Sequence, residues 1–341
     1  MARVSATIAG RGHSDTLSLL SETFSERVAA GSLLDIFSLE AESILEVLQQ
    51  ARRYAKLPPE RLRKVAPGKT VALLFYEAST RTRVSFELAA QSLAAQTTLV
   101  TSSASSIEKG ESLVDTGLTL QALGVDCIVL RHPSAGAPHV LARNLRIPII
   151  NAGDGTHEHP TQALLDAYTL LQHRKRIDGL RLTIVGDILH SRVTRSNLHL
   201  LTKLGAQITL CGPEELLPSG FADIVAHAHR SQIRIERDIV RALANADAVM
   251  MLRIQKERLA GLNIDLRAYV REFQLDAERL ASAKRELLVM HPGPMIRGLE
   301  IAGDIADTAS SVIVEQVANG VFVRRAVLAR ALESSAQGKA A

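Results

Sequence analysis

Short apolar runs alternate along the chain with longer amphipathic stretches. In the first half, VALLFY (71–76), TTLVT (97–101), CIVL (127–130) and PII (148–150) read as strands, with helical periodicity near 80–96 and 112–123. The second half repeats the style with LTIVG (182–186), QITLC (207–211), AVMML (248–252) and ELLVM (286–290). Continuous apolar runs divided by helix-length segments predict parallel strands covered on both faces. The expected fold is α/β: two doubly wound domains, each a parallel sheet flanked by helices. Ahead of the first strand, Ser38 is the expected N-cap of a helix with Glu40 in its first turn. Ile44, Leu45, Leu48 and Ala51 follow at helical spacing until Pro58-Pro59 stops it. The tail 307–333 is helical in pattern and is expected to return to the first domain. The expected division is an extension (1–33), a first domain (34–160), a second domain (161–306) and the C-terminal helix (307–341).

Length and composition agree with this division. At 341 residues the chain exceeds the ~250–300 at which one core stops growing. No run approaches the ~18 apolar residues of a membrane span, so a membrane protein is not expected. Forty Lys and Arg against 36 Asp and Glu leave a net charge of only +4, without any block of like charges. With aromatics at 3%, stacking platforms for nucleic acid are lacking. The informative basic residues are single arginines inside motifs, which points to small anionic ligands. Cys127 and Cys211 lie in apolar runs without a Cys-x-x-Cys pair, as buried core thiols do, and a reducing, cytoplasmic compartment is expected. The start, MARVSATIAGRGHSDT, lacks an apolar secretory stretch, although its Arg and Ser content leaves an organelle transit peptide open. No metal and no cofactor is expected.

Chemistry concentrates after the first strand. VALLFYE runs into Ala78-Ser79-Thr80-Arg81-Thr82-Arg83, a strand leading to a helix whose N-terminus is rich in hydroxyls. Free N–H groups and the helix dipole make such a terminus an anion site, and Arg81 adds a planar fork suited to phosphate oxygens. The alternative is an ordinary capped helix with solvent-facing arginines. A Walker loop is absent, and Val185-Gly186-Asp187 carries one glycine where a dinucleotide fingerprint needs three. A nicotinamide-dependent oxidoreductase is thereby disfavoured.

The segment Phe75-Tyr76-Glu77-Ala78-Ser79-Thr80-Arg81-Thr82-Arg83-x-Ser85-Phe86-Glu87 resembles the carbamoyl-phosphate motif of the aspartate/ornithine carbamoyltransferase family. Further matches follow in family order: Lys109-Gly110-Glu111-Ser112, Leu130-Arg131-His132-Pro133, and Asn151-Ala152-Gly153-Asp154-Gly155 running into His159-Pro160-Thr161-Gln162. Val185-Gly186-Asp187 with Arg192, the run 253–258 and His291-Pro292-Gly293-Pro294 complete the series. The resemblance spans about residues 34 to 335. It implies transfer of a carbamoyl group from carbamoyl phosphate, bound by the first domain, to an amino acid bound by the second.

The residue roles follow from that resemblance. Ser79, Thr80, Arg81 and Thr82 hold the phosphate, while Thr82, Arg131 and His159 converge on the carbonyl oxygen. Gln162 and the backbone of Pro292 and Gly293 meet the carbamoyl NH₂. Arg81, Thr82, Arg131 and His159 are the implied catalytic groups. Ornithine enzymes carry His-Cys-Leu-Pro where this chain has His291-Pro292-Gly293-Pro294, so the implied acceptor is L-aspartate. Its α-carboxylate falls to Arg192 with Arg131, and its β-carboxylate to Arg253 with Gln255. Ser105 and Lys109 match residues that reach the active site of a neighbouring subunit, which implies a homotrimer with composite sites. Glu77 matches the carboxylate that ties the closing domains together through Arg192 and Arg253. The extension resembles in length those of bacterial enzymes that join a dihydroorotase-like partner, so a larger complex with such a protein or a regulatory chain is an open expectation.

Overall fold

Strand β1 (Thr70–Phe75) is buried from Val71 onward, because both of its edges are paired and both of its faces are covered. Its alternation sorts the core: Val71, Leu73 and Phe75 join one apolar cluster, and Ala72 and Leu74 another on the opposite face. Each fully buried large aliphatic side chain contributes about 1.5–3 kcal/mol, so a one-residue slip, which would exchange the two faces, is strongly disfavoured. The computed structural model describes residues 28–101, 110–225, 227–254 and 265–338.

Two wholly parallel sheets result. In the first, β2 (Gln96–Thr101), β1, β3 (Cys127–His132) and β4 (Ile149–Asp154) lie in the order β2-β1-β3-β4. In the second, β5 (Arg181–Val185), β6 (Gln207–Cys211), β7 (Ile233–Glu236), β8 (Ala248–Met251) and β9 (Leu288–Met290) lie in the order β7-β6-β5-β8-β9. The order reverses between β1 and β3 in one sheet and between β5 and β8 in the other. Such switch points open a crevice beyond the strand ends, where ligands of doubly wound sheets bind. The expected motifs leave from those four strands.

The helix Pro160–His173 connects the last strand of the first sheet to the first strand of the second and is buried at every position from Pro160 to Leu170. The C-terminal helix Ile313–Gly338 packs against it and against the helices Ala41–Lys56 and Thr80–Ser92. Among the described residues, no helix is long and apolar enough to cross a membrane.

Several local expectations need correction. The first long helix begins at Ala41 with Glu40 as N-cap, and the Ser38 N–H instead donates to Asp35 Oδ1 at 2.7 Å in the preceding turn. Leu45 is exposed, and Val47 takes the buried place on that face. Pro59, beyond the stop, opens a short helix to Leu62. Strand β7 and the helix Ala137–Asn144 have no counterpart in the apolar pattern. The reason for β7 is its edge position: Ile-Arg-Ile-Glu pairs with β6 alone and is buried only at Ile233. Cys127 and Cys211 are free and buried, and burial pushes the Cys211 thiol up to about 12 and the Cys127 thiol higher still.

Candidate active site

Where β1 ends, the chain turns through Glu77 and enters the helix Thr80–Ser92 with Ser79 as N-cap. The Ser79 hydroxyl makes no capping bond to its own helix, and residues 79–82 instead line a cavity of about 710 Å³. Arg131, from the end of β3, lines the same cavity, as do Arg192 after β5 and Arg253 after β8. His159 and Gln162 enter at the start of the helix Pro160–His173, and residues 292–294 close another side after β9. The structure therefore brings Ser79, Thr80, Arg81, Thr82, Arg131, His159, Gln162, Arg192, Arg253, Pro292 and Gly293 to one cavity with Glu77. Ser105, Lys109 and Gln255 lie outside the described residues.

Charge defines this cavity. Among the described residues its lining holds five arginines and a single carboxylate, Glu77. Arg131 Nη2 donates to Glu77 Oε1 at 2.5 Å, and its Nη1 to the Ala152 carbonyl at 3.1 Å. Arg192 Nη2 donates to the same Glu77 oxygen, while its Nη1 donates to Oε2 at 3.3 Å. The expected partners of Glu77 were Arg192 and Arg253. Arg131 takes one of the two places, because it leaves the strand beside β1, on which Glu77 follows. Burial raises the Glu77 carboxyl, but the hydrogen bonds and charges of Arg192 and Arg131 outweigh it and hold the carboxyl below its ordinary range. Burial, helped by Arg192, brings Arg131 down to about 10, so it remains a cation at neutral pH. Arg81 is likewise lowered, by burial and then by neighbouring Arg253.

Two glycines make room for these cations. A Cβ on Gly293 would lie 2.7 Å from Arg81 Cζ, and one on Gly153 3.0 Å from Arg131 Nη1. Both also hold a positive φ that other residues adopt only with strain.

His159 is held neutral. Burial, with Arg131, Arg192 and Arg324 around it, keeps its pKa well below the ordinary histidine value. Its backbone N–H donates to Ser196 Oγ at 2.8 Å, while Nδ1 is buried without a hydrogen-bond partner among the described residues. A neutral imidazole donates from one ring nitrogen and accepts on the other, so at neutral pH His159 is suited to donating a hydrogen bond rather than to acting as a cationic acid. His157 binds Asp154 Oδ2 at 3.0 Å. No group of three or more His, Cys, Asp or Glu among the described residues could hold a metal ion.

Arg324 was not anticipated. It projects from the C-terminal helix into the lining, donates to Ser85 Oγ at 2.8 Å and lies 5.1 Å from the centroid of the Phe86 ring. Burial lowers it to about 9, with Asp166 acting the other way. An arginine inside the apolar run VFVRRAV was the available signal.

Residues 32–172 match a family model described as "Aspartate/ornithine carbamoyltransferase, carbamoyl-P binding domain", and residues 178–331 match the corresponding Asp/Orn binding domain. The aspartate carbamoyltransferase catalytic subunit of Koribacter versatilis is 55% identical over 297 residues, covering 87% of this chain and 95% of that protein. That of Desulforudis audaxviator is 52% identical over 299 residues, with the same shares covered. Among solved structures, ornithine carbamoyltransferase from Pyrococcus furiosus superposes with a TM-score of 0.81 at 28% identity, covering 89% of this chain and 98% of that one. Aspartate transcarbamoylase from Trypanosoma cruzi, in complex with N-(phosphonacetyl)-L-aspartic acid, gives 0.79 at 28% identity, covering 89% and 96%. With both domain models matched in chain order, the protein belongs to the aspartate/ornithine carbamoyltransferase family.

Proposed function

We propose that this enzyme transfers the carbamoyl group of carbamoyl phosphate to the amino group of L-aspartate, giving N-carbamoyl-L-aspartate and phosphate in pyrimidine biosynthesis. The observation that carries the reading is the single cavity in which five arginines meet one carboxylate, fed by the ends of β1, β3, β5 and β8. It suits two anionic substrates held side by side. Superposition alone does not separate aspartate from ornithine enzymes, since one of each aligns at comparable scores. The sequence relatives at 47–55% identity, all aspartate enzymes, favour aspartate.

In this reading residues 79–82 and Arg81 in particular cradle the phosphate. Thr82, Arg131 and neutral His159 donate to the carbonyl oxygen as it becomes an oxyanion. The amine lone pair bonds to the carbonyl carbon, the C–O bond to phosphate breaks, and phosphate leaves with that electron pair and takes up the proton shed by nitrogen. No covalent intermediate is needed; positioning and preorganised charge supply the acceleration. Gln162 and the Pro292–Gly293 backbone accept from and orient the carbamoyl NH₂. Arg192 with Arg131 binds the α-carboxylate, and Arg253 with Gln255 the β-carboxylate. On closure Glu77 ties the two domains together through Arg192 and Arg253, which couples aspartate binding to domain closure.

Ser105 and Lys109 complete the site from the next subunit of a homotrimer, and the assembly extends to a dihydroorotase-like protein or regulatory chain. The cytoplasm is its compartment. Assaying aspartate beside ornithine at fixed carbamoyl phosphate tests the acceptor: turnover with aspartate only is expected, and turnover with ornithine only would overturn the assignment.

A further inference from the structure

Asp166 is wholly buried one helical turn beyond Gln162 and collects three amide N–H bonds. Gln162 Nε2 and Gln316 Nε2 each donate to Oδ1 at 2.9 Å, and Asn197 Nδ2 donates to Oδ2 at 2.9 Å. The donors come from three elements: its own helix, the C-terminal helix, and the helix Arg192–Lys203. Gln316 in turn accepts the His291 N–H on Oε1 at 2.9 Å, directly before Pro292 and Gly293. Both groups assigned above to the carbamoyl NH₂ therefore trace back to one carboxylate.

An amide presents oxygen and NH₂ with nearly the same shape, so Gln162 alone has two equivalent ways to face the cavity. A carboxylate only accepts. Facing Asp166, the Gln162 amide must turn its Nε2 toward the carboxylate, which leaves Oε1 as the acceptor in a residue that lines the cavity. The carbamoyl NH₂ is a donor and needs such an acceptor; the reversed amide would set NH₂ against NH₂.

We propose that Asp166 is a positioning residue for the reaction: it fixes the Gln162 amide with its oxygen toward the carbamoyl NH₂ and, through Gln316 and the His291 N–H, holds residues 292–293 against the same group. The inference rests on the carbamoyl-transfer reading. Burial pushes the Asp166 carboxyl up to about 6 against its three amide donors, with Arg324 also favouring the charged form, so assays belong well above that pH.

The test compares Asp166→Asn, Gln162→Ala and the double variant, reading kcat, KM for carbamoyl phosphate, and the affinity for inorganic phosphate, which has no NH₂. Asp166→Asn should cost about tenfold or more in kcat/KM for carbamoyl phosphate, the scale of leaving a buried polar group mispaired. Phosphate affinity should stay within about threefold, and in the Gln162→Ala background the same substitution should cost clearly less than in the wild type, the remainder being the part carried through Gln316. Multiplying losses, or equal weakening of phosphate and carbamoyl phosphate, would overturn the positioning role. If Gln162→Ala is itself silent, the carbamoyl contact assigned to Gln162 fails, and the role of Asp166 fails with it. Should Asp166→Asn not fold, Gln316→Ala decides: a carbamoyl-specific loss of about fivefold is expected, and an unchanged KM overturns the proposal.

Discussion

Glu77 and Arg192, 115 positions apart, share two hydrogen bonds across the cavity, one of them to the oxygen that Arg131 also holds. A residue following the first strand of one sheet is thereby tied to the first turn of a helix that follows the first strand of the other. Glu77→Gln keeps the shape and removes the charge that two largely buried arginines share. Aspartate KM should rise about tenfold, in line with charge-assisted bonds of about 1.5–3 kcal/mol partly retained by the amide, while melting stays near wild type. Steady-state kinetics with varied aspartate check this; unchanged KM and kcat would remove Glu77 from any closure role.

His159 carries a prediction with a defined sign. Its neutral form is favoured in the fold, so the unfolded chain binds more protons below the ordinary value of 6.5. The His159 contribution is complete above 6.5 and becomes an increasing penalty as pH falls toward the depressed folded value. His159→Gln should therefore lose less stability than wild type between neutral pH and the acid side, as denaturant titrations at several pH values would show. Turnover of His159→Ala should fall on the order of 10²–10³-fold, as for loss of an oxyanion donor. An activity profile of the wild type that follows a histidine titration near 6.5 would contradict the neutral assignment.

The proposed homotrimer, with sites shared between subunits, predicts complementation. Lys109→Ala and Arg81→Ala homotrimers should each be nearly inactive. Mixed trimers should recover activity, because some sites then combine an intact Arg81 with an intact Lys109 from the neighbouring subunit. Activity assays after verified subunit exchange measure it, and no recovery would count against sharing.

The sheets were legible because most of their strands are apolar runs dictated by burial, as in β1; β2, an edge strand with no fully buried residue, was read from the β-branched run TTLVT instead. Strand β7 was not, since one paired edge and a half-exposed face leave Ile-Arg-Ile-Glu without a hydrophobic requirement. The helix start near Ser38 misled because a serine before an apolar period resembles a cap, whereas Asp35 takes its N–H. The cavity residues after β1 were legible through a dense motif. Arg324 had no motif: its position depends on the C-terminal helix returning to the cavity, which local spacing does not encode. The pairing of Glu77 with Arg131 depends on β1 and β3 being neighbours, a property of strand order.

The central claim is that one cavity holds a phosphate and a dicarboxylate together. Calorimetric titration with N-(phosphonacetyl)-L-aspartate, which joins both anions in one molecule, tests it most directly. One ligand per chain is expected, bound far more tightly than inorganic phosphate, and both Arg81→Ala and Arg253→Ala should weaken it by on the order of 10²-fold or more. Binding no tighter than phosphate, or indifferent to Arg253, would contradict the account.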